Sequence, residues 1–206
     1  MSTAPRKARC LLVFLSLLFA GNGTAQTTGY LLDGYQEQGG YGGVEMKVTG
    51  INNEIGVLAG LQGGWIFNHS LSLGAAWYTS LSTHDVNARI NSVDRIGQLS
   101  LSYGGAMVKM NLASHRVVHL QPSLFFGIGQ TSLTSTEIPG WEEVLFERNV
   151  VTILEPELKA ELNLSRHIRV LGGLGWRLAF GLDSAHLTAA EVGGYTASLT
   201  VRFGKF

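Results

Sequence analysis

The chain has 206 residues, formally neutral with 15 Lys and Arg against 15 Asp and Glu, and a single cysteine. Charged residues make up only 15% of it, against about 25% in typical soluble domains, and this balance offers nothing to attract nucleic acid. The length suits one all-β domain, and one cysteine excludes an internal disulfide framework.

The first 25 residues carry Arg6, Lys7 and Arg9, an apolar run from Leu11 to Ala20, and the small-residue stretch Gly21-Asn22-Gly23-Thr24-Ala25. This pattern predicts a secretory signal cleaved after Ala25. The run is shorter than the about 20 residues a membrane-spanning helix needs. Cys10 stands at the start of the run, which suits neither a lipid-acceptor nor a redox role. Cleavage removes three basic residues and no acidic one, leaving 12 basic against 15 acidic, a net charge of −3. Residues 26–39 read as an N-terminal lead, and residues 40–206 as the folded domain.

Along that domain, side chains alternate with the period of two that marks a strand. Tyr41–Ile51 sets Val44, Met46 and Val48 against Glu45 and Lys47. Ile55–Phe67 carries Val57, Leu61, Trp65 and Phe67 on one face, and Leu71–Leu81 carries Leu71, Leu73 and Trp77. Gln98–Leu112 changes phase: Leu99, Leu101 and Tyr103 are odd-numbered, while Ala106, Val108, Met110 and Leu112 are even. A bulge at Gly104-Gly105 is the expected remedy. Val118–Ile128 aligns Leu120, Pro122, Leu124 and Phe126. Leu154–Leu162 alternates most clearly, with Glu155, Glu157, Lys159 and Glu161 on one face. In residues 168–180, Ile168, Val170, Leu174, Trp176, Leu178 and Phe180 face away from Arg169 and Arg177, and in the final strand Tyr195, Ala197, Leu199, Val201 and Phe203 oppose Arg202. These are eight strands.

Short polar turns at Asn68-His69-Ser70, Ala113-Ser114-His115-Arg116 and Ser165-Arg166-His167 alternate with longer connections at 82–96, 132–149 and 182–193, and with a tight one at Ile51–Glu54. Their histidines lie on separate turns and read as solvated. The connection at 182–193 holds Ser184, His186 and Glu191, with no nucleophile turn around them. The one at 132–149 holds Trp141 and Phe146 among Glu137, Glu142, Glu143 and Glu147, and these two aromatics are the candidate contacts for a surface ligand. The cluster lacks the regular oxygen spacing of a calcium loop. No catalytic, metal-binding or cofactor-binding set is read.

Period two leaves open which face points outward, and a secreted lipocalin-like carrier would put the apolar face inside. Three features favour the opposite arrangement. The polar face is built of small residues (Gly56, Gly60, Gly64, Gly127, Gly173), where a soluble exterior would carry lysines and glutamates. Aromatic residues gather near strand ends at Trp65, Phe67, Trp77, Trp176, Phe180 and Phe203. The chain also finishes within a strand, with Phe206 as its last residue.

Residues 40–206 resemble the small eight-stranded outer-membrane β-barrel proteins, the OmpA/OmpX-like family, and especially those of the Bacteroidota type. The likeness lies in the strand-turn rhythm, in the stretch Glu157-Leu-Lys-Ala-Glu-Leu-Asn-Leu-Ser-Arg-His167, and in the closing Val201-Arg-Phe-Gly-Lys-Phe206. The resemblance implies an all-β, closed, antiparallel up-and-down transmembrane barrel. It would sit as a monomer in the outer membrane of a Gram-negative bacterium, surrounded by outer-membrane lipid, with Phe206 read by the barrel-assembly machinery. A lipid-modifying barrel enzyme is the catalytic alternative. Eight strands leave an interior just wide enough for side chains. Glu45, Lys47, Glu155, Glu157, Lys159, Glu161, Arg169, Arg177 and Arg202 are therefore expected to pair across neighbouring strands in a network that fills it.

Overall fold

The computed structural model describes residues 38–206 apart from 52–53, 69, 83, 91–92, 113, 115, 136–143 and 182–188. The expected signal sequence and most of the expected lead lie outside the described residues, as do Trp141, Ser184 and His186. The strands are β1 (Gln38–Ile51), β2 (Glu54–Phe67), β3 (Leu71–Ser80), β4 (His84–Ile90), β5 (Val93–Met110), β6 (Val118–Ser135), β7 (Val144–Asn163), β8 (Ile168–Phe180) and β9 (Gly194–Gly204). A helical turn, α1 (Ala189–Val192), precedes β9.

Consecutive strands pair antiparallel except β3 with β4, and two further pairings close the ring. β1 pairs with β9 from Tyr41↔Gly204 to Thr49↔Thr196, and β3 pairs with β5 from Leu71↔Met110 to Thr79↔Ser102. β4 continues along the same edge of β5, from His84↔Leu99 to Ile90↔Val93. β3 and β4 thus act as one interrupted stave, and the nine strands form a closed eight-stave barrel. Closure removes the free edges of the barrel wall, while β4 pairs with β5 alone.

The interruption is held by hydroxyl groups. The Ser80 Oγ accepts the Leu101 N–H at 3.1 Å and the Ser82 Oγ accepts the Val57 N–H at 2.9 Å. The Leu81 N–H meanwhile donates to the Val57 carbonyl at 2.8 Å. At the opposite end, Asn68 turns the chain with φ 48°, a left-handed conformation that asparagine tolerates.

Three expectations are corrected. No bulge occurs at Gly104-Gly105, because the register runs unbroken through Trp77↔Gly104 and Gly104↔Ile128. Gly104 instead leaves room for the Trp77 indole, against which a Cβ there would collide. The sheet's irregularity lies between β6 and β7 at Leu133/Thr134, which leaves Phe146 as the extra residue of β7. Second, the connections at 82–96 and 132–149 are largely strand: β4 and the start of β5 form a hairpin, and β6 and β7 run on to Ser135 and from Val144. Third, β1 takes in Gln38 and Gly39 from the lead.

One barrel end is made of the turns at 68–70, 111–117 and 164–167 with the starts of β1 and the end of β9. The other carries the longer connections and α1. These are called the turn end and the loop end below.

Candidate functional site: the barrel interior

The inward side chains form layers along the barrel. At the turn end, the Glu161 carboxylate receives the Arg169 Nη1 at 2.5 Å, the Arg202 Nη2 at 2.9 Å and the Gln121 Nε2 at 3.0 Å. Gln121 also donates to Asn111 and accepts from the Arg202 Nη2 at 2.5 Å. His119 lies beside this group, with Nε2 3.6 Å from Glu161. Each buried charge here thus meets both an opposite charge and neutral partners, the condition under which burial of ions is tolerated.

The second layer centres on Glu45. Its carboxylate accepts from the Lys159 Nζ at 2.8 Å and from the Thr200 hydroxyl at 2.9 Å. The Gln62 amide also donates to Glu45 and in turn accepts from the Lys109 Nζ. Further along, the Lys47 Nζ lies 3.1 Å from both Glu155 and Glu157, and the Lys159 Nζ lies 3.2 Å from Glu157. Glu155 also accepts the Tyr103 hydroxyl at 3.0 Å, and Tyr103 accepts from the Arg177 Nη2 at 3.2 Å. Most of these bonds cross the lumen. Glu45 on β1 and Lys159 on β7 are three staves apart, with β9 and β8 between them, so side chains from opposite walls meet in the middle.

Above the charges the interior changes character. The Tyr78, Tyr103 and Phe125 rings pack together with centroids 5.0–5.9 Å apart. The Lys47 Nζ sits 4.1 Å from the Tyr78 ring centre, a cation–π contact that ties the two layers together. Beyond the rings, Leu58, Leu99, Leu101, Val151 and Ile153 fill the loop end, and Val192 of α1 is buried among them. Glycines paired with the two tyrosines on the adjacent strands make the space: a Cβ at Gly60 would strike the Tyr78 ring and one at Gly129 the Tyr103 side chain.

All nine residues of the expected charge set point inward. Glu45, Lys47, Glu155, Glu157, Lys159, Glu161, Arg177 and Arg202 are buried, and Arg169 is half-buried at the rim. Sequence reasoning missed Lys109, Gln62, Gln121, Asn111 and His119. Lys109 was legible, since it is odd-numbered between outward Val108 and Met110. The amides gave no charge signal. Leu99, Leu101 and Tyr103, assigned from sequence to the apolar outer face, point inward instead. The terminal Phe206 lies past the end of β9, and the Arg169 guanidinium stands 4.0 Å from its ring centre.

The exterior is the converse. Among the described residues 25 large apolar side chains are exposed, whereas among outward strand positions whose side chains are described the one charge is Arg148, near the loop end. Trp65, Phe67 and Phe203 ring the turn end; Trp176, Tyr195 and Phe180 ring the loop end, with Trp176 packed edge-on against Tyr195 at 4.0 Å. Trp77 stands between these levels.

No protein-family model matches the chain, and no curated protein matches it. Among solved structures it is similar to Neisserial surface protein A, at 10% identity, covering 84% of this chain and 100% of that one, with a TM-score of 0.49. It is also similar to Ail, the attachment invasion locus protein of Yersinia pestis, at 12% identity, covering 83% and 99%, with a TM-score of 0.48. A third similar structure is the N-terminal β-barrel domain of Pseudomonas aeruginosa OprF, at 15% identity, covering 80% and 96%, with a TM-score of 0.43. At these values the likenesses decide nothing about the role of this chain, which rests on its own residues.

Proposed function

We propose that the protein is an integral outer-membrane β-barrel with a side-chain-filled lumen, serving a structural or surface-interaction role through its loop end. The observation that carries this reading is the outer surface: a closed barrel whose apolar residues face out and whose ion pairs face in. In water, 25 exposed large apolar side chains would form a patch far beyond what soluble monomers display. In a bilayer the same surface is the expected lipid-facing band, with aromatic residues at its two borders.

The interior argues against the carrier alternative. A barrel that holds an apolar ligand needs an open apolar cavity, and here opposite walls meet through Lys159–Glu45 and Lys47–Glu155. The same contacts argue against a diffusion pore. They leave the loop-end connections as the place where a surface ligand would be met. A lipid-modifying activity finds little support in the strand walls, whose buried acids are held by cations.

Planar-bilayer recording of the purified barrel tests the filled lumen. No steady conductance steps are expected. Stable, reproducible steps abolished by Glu45→Lys would overturn the filled lumen and assign an ion pathway to it.

A further inference from the structure

The turn end has a charge character of its own. The segments 68–70, 111–117, 164–167 and 204–206 contain Arg116, Arg166 and Lys205 and no Asp or Glu. The loop-end segments 52–53, 81–92, 136–143 and 181–193 contain six acidic residues and one basic one, Arg89. The positive charge at the turn end is concentrated on one side of the barrel, where β7 turns into β8 beside the end of β9. There a shallow depression of about 510 Å³ is lined by Ser165, Arg166, His167, Arg169, Lys205 and Phe206.

Its side chains are not equivalent. Arg169 is already engaged by Glu161 at 2.5 Å. Arg166 and Lys205 are exposed, with no carboxylate partner among the described residues. The Ser165 Oγ accepts the N–H groups of His167 and Ile168 at 3.2 and 3.0 Å, so its own proton remains to be donated. The Asn163 amide donates to the Arg116 carbonyl at 2.9 Å, which brings the 111–117 turn and its third cation alongside. Immediately next to the depression the surface is apolar: Leu164 and Phe203 are exposed, and Val117 and Val118 follow on the neighbouring turn. Exposed cations and a free hydroxyl donor thus stand where the apolar band ends.

We propose that this depression binds the phosphate of an anionic phospholipid in the leaflet at the turn end, through Arg166, Lys205 and the Ser165 hydroxyl. The proposal rests on the membrane reading above. An apolar band fixes the height of the surrounding headgroups, and basic side chains at that height draw anionic ones. The mixture of two cations and a hydroxyl suits a phosphate diester better than a carboxylate, because several oxygens must be met from different directions.

Native mass spectrometry of the detergent-solubilised barrel tests it, with phosphatidylglycerol or phosphatidylcholine added singly, and with inorganic phosphate then added to the lipid-bound barrel. Phosphatidylglycerol is expected to be retained in preference to phosphatidylcholine, and the preference to fall about fivefold for each of Arg166→Gln and Lys205→Gln. Both substitutions lie on exposed side chains, and heat-modifiability on a gel checks that the barrel is intact. Equal retention of the two lipids, or a preference that survives the double substitution, overturns the site. Inorganic phosphate displacing the lipid at similar concentration overturns its assignment to a headgroup. A barrel that is heat-modifiable in vesicles yet shows no lipid preference sinks this site alone; a protein that needs no detergent sinks the membrane reading itself.

Discussion

Glu45 concentrates the energetics of the interior in one side chain. It meets Lys159, Gln62 and Thr200 directly, with Lys47 3.6 Å away. Removing its charge leaves Lys159 with Glu157 as its remaining carboxylate at 3.2 Å, and breaking a buried pair from one side costs about 3–5 kcal/mol. Glu45→Gln and Lys159→Met are each expected to destabilise the barrel by that order in urea unfolding from micelles. Combined, they should cost less than the sum, by about 1–3 kcal/mol, because residues in one network couple. Additive losses would mean that the two side chains act independently. Legibility at this scale followed charge. The glutamates and lysines of β1 and β7 announce themselves by alternating with Val, Met and Leu, whereas Gln62, Gln121 and Asn111, which link them, look like any polar strand residue. Their role exists only because the closed ring brings β2, β6 and β7 face to face.

β9 is the element on which the orientation of the barrel wall can be tested most cleanly. Thr196, Ser198, Thr200 and Arg202 point into the lumen while Tyr195, Ala197, Leu199 and Phe203 point out. Leu199, paired with Met46 on one side and Gly172 on the other, sits midway along the wall. Leu199→Arg is expected to cost about 2–4 kcal/mol for a cation near the bilayer midplane and to depress folding into vesicles. A variant that folds like the parent would place this face in water. β5 shows where such sequence reading stops. Its inward residues are Lys109 near the turn end but Tyr103, Leu101 and Leu99 towards the loop end, so hydrophobicity changes sides while the strand does not. A bulge is the inference that follows if the lumen is assumed polar throughout. The hairpin of β4 with β5 and the extensions of β6 and β7 escaped for a related reason: polar and apolar residues do not alternate regularly there, so period two gives no signal.

The whole molecule was legible as an eight-stave barrel because stave after stave, β5 excepted, carries the same alternation. The filling of its loop end was not, since Val192 reaches the lumen only through a helical turn that no periodicity marks. The central claim is that the outside of this barrel is solvated by lipid. Fractionation of cells producing the protein, with the membrane fraction washed in urea at high salt before detergent extraction, tests that claim most directly. The account predicts that the protein stays with the outer membrane through the wash and is released only by detergent, as a heat-modifiable band. Release by osmotic shock as a water-soluble, folded protein would contradict it.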